Sequence, residues 1–192
     1  MLKKLSQRSS IRLNVRELVF TCVTSVAFGV AFWGWSFANG LVSPFLKIFG
    51  FRFLFNGFWL IPGIFAPFII RKPGVAILAS CIAAFVEGLL SKWGIQALVW
   101  GLVQGSACEI VFFLGLYRYW QTPVLYIASA SAGIASFALS YYQSHYSLLS
   151  FGFNAIQFSV ALASSLFFCG YLTQILIKRL HKQQMLQNFV HD

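Results

Sequence analysis

Two acidic residues within otherwise oily sequence are the first candidates for chemistry. Glu87 and Glu109 lie in the stretch RKPGVAILASCIAAFVEGLLSKWGIQALVWGLVQGSACE, Arg71 to Glu109, which holds two apolar segments. The chain has four acidic residues, and the other two, Glu17 and Asp192, sit near its ends. A carboxylate inside a membrane span costs about 2.5–3.5 kcal/mol on insertion scales, so such a group is a functional candidate. No Lys or Arg occurs inside the apolar segments. Each carboxylate is therefore protonated, satisfied by neighbours such as Gln104, Ser80 or Ser106, or answered by a cationic or amine-bearing ligand. Glu87 falls near the outer end of its segment and Glu109 nearer mid-depth in the next. Trp100 and Gln104 share a helix face one turn apart, and Glu109 lies about half a turn off it. Glu87 thus ranks above Glu109 as a direct ligand contact.

The aromatic residues fit a flat or cationic ligand. Trp33, Trp35, Trp59, Trp93 and Trp100 map to one half of the bundle, with Tyr141, Tyr142 and His145. Trp120 alone maps to the other half, whereas a simple interfacial belt populates both. A cation over an indole face gains about 0.5–2 kcal/mol.

The elements that hold these groups follow from composition. The 192-residue chain is 59% hydrophobic and 9% charged, with a mean hydropathy of +0.77. Soluble domains are about 25% charged, so the chain is read as an all-α membrane protein. Six transmembrane helices are expected, at about 18–38, 54–70, 75–90, 95–116, 124–142 and 151–177. Residues 1–16 form a basic arm, 17–177 the membrane domain and 178–192 a polar tail. Asn39 to Phe53 reads as an irregular connection that lies on the membrane surface or folds over the bundle as a lid. Pro62 and Pro67 are expected to kink the second span, and Gly101 and Gly105 to loosen the fourth. The small-residue run 127–136 in the fifth predicts close packing. Ala27 and Ala31 are spaced for close helix approach, either within the bundle or against a partner.

Six spans put both termini on one side, with eleven Lys and Arg there and three, Lys47, Arg52 and Lys92, opposite. The positive-inside rule makes the termini cytoplasmic. The net charge of +10 is thereby read as topology, not as a nucleic-acid surface. Cys22, Cys81, Cys108 and Cys169 have no CxxC spacing and read as small core residues, not metal or redox groups. No Walker-type phosphate loop, HExxH or GxSxG is present, so no enzyme and no cofactor is expected.

The segments IIRKPGVAILASCIAAFVEGLL and GLVQGSACE resemble the YkoE type of substrate-binding S-component of energy-coupling factor (ECF) transporters. The similarity covers roughly residues 15 to 140. It is most specific at the RKPG turn, at Glu87 and at Val103 to Glu109. The resemblance implies a six-helix S-component bundle that binds thiamine or its hydroxymethylpyrimidine precursor. It also implies partners: a transmembrane coupling (T) protein and two ABC ATPase subunits that carry the hydrolysis. Ala27 and Ala31 are the positions that fit the coupling-protein patch on the first helix. Thiamine carries a permanent cation and an aminopyrimidine. Glu87 is expected to meet the cation or amine, with Asn56, Gln104 and His145 adding hydrogen bonds. Trp33, Trp59 and Trp100 are expected to stack, with Tyr142 nearby and Glu109 as the second acid. Two other readings fit the residues: the same fold with another small vitamin, or a membrane assembly protein whose Glu residues only tie helices together.

Overall fold

The computed structural model describes residues 13–182. Most of the expected basic arm and the tail from 183 onward lie outside the described residues. Helix α1 spans Val15–Ile48, followed by a 3-10 turn at Asn56–Leu60 and α2 at Pro62–Ile70. Next come α3 (Val75–Leu90), α4 (Gln96–Leu114) and α5 (Thr122–Gln143). After a 3-10 turn at Tyr146–Leu148, the last span runs through α6 (Phe151–Ser164), a π-helical stretch (Ser165–Leu172) and α7 (Thr173–Lys182). Four of the helical runs are long and apolar enough to cross a membrane, and Asn56–Ile70 and Val75–Leu90 are shorter. Among the described residues there is no strand.

The first span departs from expectation. Residues 39–48 are neither a lid nor a surface loop, because α1 continues through them as a helix. Its 34 residues measure about 51 Å against a hydrocarbon core of about 30 Å. Gly40 and Pro44 read as punctuation in the sequence, yet neither stops the helix. Pro62 takes the first position of α2, where a missing N–H costs nothing, while Pro67 lies inside the helix.

Both ends of the described chain meet the α2–α3 turn. Leu13, Leu176 and Leu180 pack against the buried cluster that includes Ile69, Ile70 and Val75. At the start of α1, Glu17 Oε2 accepts from Asn14 N at 2.7 Å, as in a capping box. The same oxygen pairs with Lys72 Nζ at 2.7 Å and so ties α1 to the turn. We call this the termini end.

Helix α3 lies between α1 and α4, and small residues let all three close up. A Cβ on Gly29 of α1 would lie 2.7 Å from Ala83 O of α3. One on Gly101 of α4 would lie 2.5 Å from Ala84 Cβ and 2.7 Å from Ser80 O. One on Gly105 would lie 2.9 Å from Ile77 Cα. Gly101 and Gly105 therefore draw α4 against α3; they are contact points, not loosened joints. The small-residue run of α5 packs as expected, with Ser131 Oγ donating to Ala107 O of α4 at 3.1 Å. Gly133 rests on Ser165 of the π-helical stretch.

Gly101→Val should cost about 1–3 kcal/mol, read as a lower unfolding temperature in detergent. Gly34→Ala, on an open face of α1 with nothing within 4 Å, should leave the transition in place or raise it. Equal losses at both positions would contradict the close α3–α4 contact.

Candidate ligand-binding cavity

A cavity of about 760 Å³ opens at the end opposite the termini. That is within the usual 300–1,000 Å³ of small-molecule sites. The extended outer half of α1 supplies one wall. Trp33, Ser36, Asn39 and Ser43 recur at helical spacing and all line the cavity. The Asn56–Leu60 turn supplies Asn56 and Trp59, and α3 supplies Ser80 and Glu87. The α3–α4 turn brings Lys92 and Trp93, α4 brings Gln96, Trp100 and Gln104, and the end of α5 brings Ser140 and Gln143.

Glu87 is the acid of this cavity. It is 5% exposed, and Ser36 Oγ and Trp59 Nε1 both donate to its Oε1, at 2.5 and 2.9 Å. Among the described residues no donor reaches Oε2. The carboxylate is thus oriented on one oxygen and open on the other. Trp59 is held by Phe32 and Phe58, with ring centroids 6.3 and 6.5 Å away. Asn56 Nδ2 is buried with no acceptor. An unmet buried donor costs about 1–3 kcal/mol, so an acceptor arriving in the cavity is favoured there. Gln104 Nε2 donates to Ser136 Oγ at 3.1 Å, which orients the amide. Together the wall offers one half-free carboxylate, five amides and four indoles, a set suited to a flat, cationic, hydrogen-bonding molecule.

Six residues singled out from the sequence meet here: Glu87, Gln104, Asn56, Trp59, Trp33 and Trp100. Three do not. Glu109 sits at the termini end, not at mid-depth, and is knit into the fold. Its Oε1 accepts from Gly74 N and Tyr117 Oη, each at 2.6 Å, and its Oε2 from Ala76 N at 3.0 Å. It caps the start of α3, where free N–H groups favour a negative charge. Burial, and then the bond to Glu109, push the Tyr117 phenol above its ordinary range, so it remains a donor at physiological pH. Tyr142 is 79% exposed and points away from the cavity, and His145 is an exposed residue in a left-handed turn. Their neighbour Tyr146 is buried instead, and its Oη lies 2.6 Å from Arg52 Nη1. Trp93, noted in the sequence with the other indoles, also lines the cavity, whereas Ser36, Gln96 and Arg52 were not read as site residues. For Ser36 the signal was its place one turn past Trp33, inside the expected first span.

Comparison with known proteins agrees with this architecture. Residues 16–135 match the family described as ABC-type cobalt transport system, permease component. A candidate HMP/thiamine permease, YkoE of Bacillus subtilis (strain 168), is 34% identical over 161 residues, 83% of this chain and 80% of that one. The chain belongs to the YkoE family of S-components. A crystal structure of an S-component of an ECF transporter superposes with a TM-score of 0.86 at 28% identity, over 93% of this chain and 91% of that one. The S-component is therefore a multi-pass membrane transporter subunit and not an enzyme. Its cavity draws on residues beyond the family match too, since Ser140 and Gln143 follow position 135.

Removing the Glu109 charge with Glu109→Gln should destabilise the S-component by about 1–3 kcal/mol in thermal unfolding, and Tyr117→Phe by about 1 kcal/mol. If Glu109→Gln unfolds like the unaltered protein, the capping role is wrong.

Proposed function

We propose that this S-component binds thiamine or its hydroxymethylpyrimidine precursor for import. The observation that carries the reading is Glu87, anchored through Oε1 and unanswered at Oε2 beside indole faces. Thiamine offers a fixed cation for that oxygen and a flat aminopyrimidine for Trp33, Trp59 and Trp100. The buried Asn56 Nδ2 suits a ring-nitrogen acceptor, and the Gln104 amide suits the exocyclic amine. Glu109, Tyr142 and His145 have no part in this reading. The named specificity of the Bacillus subtilis relative supports it. Cobalt, in the family description, is the competing cargo. Among the described residues no three His, Cys, Asp or Glu side chains gather around one point, which favours an organic ligand.

The orientation and partners belong to the same proposal. Arg71, Lys72 and Arg118 lie in turns on the side of the termini, which supports cytoplasmic termini and a cavity open to the outside. Import against a gradient then needs a coupling T protein and two ABC ATPase subunits. Ala27 and Ala31 are exposed along one stripe of α1, with Val23 and Val30 beside them, while Ser25 and Gly29 face the bundle. That small, apolar stripe suits close approach by a coupling-protein helix.

Glu87→Gln should weaken thiamine binding at least tenfold, about 1.4 kcal/mol, in isothermal titration. Unchanged affinity would remove Glu87 from the site. Ala31→Leu together with Ala27→Leu should abolish co-purification with the coupling protein and ATPases while thiamine still binds. Recovery of the whole complex from that variant would rule out the α1 stripe as the contact.

A further inference from the structure

The cavity carries opposite charges at its two depths. Glu87, at 5% exposure, lies buried in its wall, with Ser80 and Gln104 lining it further in. Arg52 and Lys92 line the same cavity at its rim, half-buried and exposed respectively, from two separate loops. Neither cation has an acidic partner. Among the described residues the acids are Glu17, Glu87 and Glu109, and the first and last are committed at the termini end. Arg52 is nonetheless held in place: its Nη1 donates to Tyr146 Oη at 2.6 Å and to Ser144 Oγ at 3.4 Å, and its guanidinium lies 5.8 Å from the centre of the Tyr146 ring. Among the described residues its Nη2 and Nε have no acceptor. Lys92 Nζ lies 5.8 Å from the centre of the Trp93 ring and likewise meets no acceptor.

A ligand that is only a cation uses just part of this arrangement. Such a ligand passes two like charges on its way to Glu87 and leaves both unanswered. Six free guanidinium and ammonium N–H donors around a rim match the acceptor oxygens of a phosphate group. We propose that the site takes the phosphate monoester of its cationic ligand, with the cation against Glu87 and the phosphate between Arg52 and Lys92. The proposal rests on the ligand reading above and extends it to a doubly charged, head-to-tail recognition. Ser91 and Gln143 line the cavity as additional neutral donors. A zwitterionic phospholipid headgroup has the same cation-plus-phosphate chemistry, so the test separates the two sources.

The test is isothermal titration of the detergent-purified full chain with thiamine and with thiamine monophosphate. The unaltered protein should bind the ester at least as tightly as thiamine, and ester affinity should fall steeply with added salt. Arg52→Gln should lower the ratio of ester to thiamine affinity at least tenfold. Lys92→Gln, at an exposed position that does not brace the fold, should lower it at least threefold. An ester bound tenfold more weakly than thiamine by the unaltered protein, or variants that shift both ligands alike, would overturn the proposal. Failure of both ligands to bind would bring down the ligand reading and this proposal together. A tenfold loss of ester affinity in phosphatidylethanolamine nanodiscs relative to detergent would assign the rim to lipid headgroups and overturn the soluble ester.

Discussion

A carboxylate inside the bilayer must have its oxygens answered, and Glu87 has only one of them answered by the protein. The rest of the site is arranged around that half-filled state. Ser36 reaches Oε1 from α1, which packs along α3. Trp59 reaches it because the Asn56–Leu60 turn sets the indole between Phe32 and Phe58. Two donors on one oxygen fix the direction of the other. Glu109 shows the contrasting outcome: with both oxygens bonded to backbone or phenol donors, it holds the fold and has nothing to offer a ligand.

Packing makes this precision possible. The Ala, Ser and Gly faces of α3 and α4 bring backbones close enough that a single added methyl collides. Trp100 and Gln104 occupy the helix positions next to Gly101 and Gly105, so the contact that joins the helices also sets the cavity wall opposite Glu87. The polar knot of Glu17 with Lys72 and Glu109 with Tyr117 secures the far end. The two ends are built differently: at the termini end Glu17 and Glu109 are both paired, and the cavity end leaves Glu87 Oε2, Asn56 Nδ2 and the Arg52 donors open.

Hydropathy and small-residue spacing were sufficient to place the spans from 54 to 177 within a few residues, because the bilayer demands long apolar helices. They misjudged α1, since Gly, Pro and aromatic residues near 40–45 resemble a loop by local propensity, whereas the helix runs on through them. Glu87 stood out because intramembrane charge is rare. Glu109 looked the same by that criterion, and only the proximity of Gly74 and Ala76, thirty-odd residues earlier in the chain, distinguishes a helix cap from a ligand group. His145 attracted attention for its chemistry, whereas its neighbour Tyr146 is the buried residue that braces Arg52. Side-chain direction in a short turn has no periodicity to read.

The central claim is that a small organic cation completes Glu87. Mass spectrometry of the small molecules retained by the protein, purified from cells grown with thiamine, addresses it most directly. An aminopyrimidine compound of the thiamine type, recovered near one per chain and lost in Glu87→Gln, is the predicted result. Recovery of a metal ion or of lipid alone, with no such compound, would contradict it.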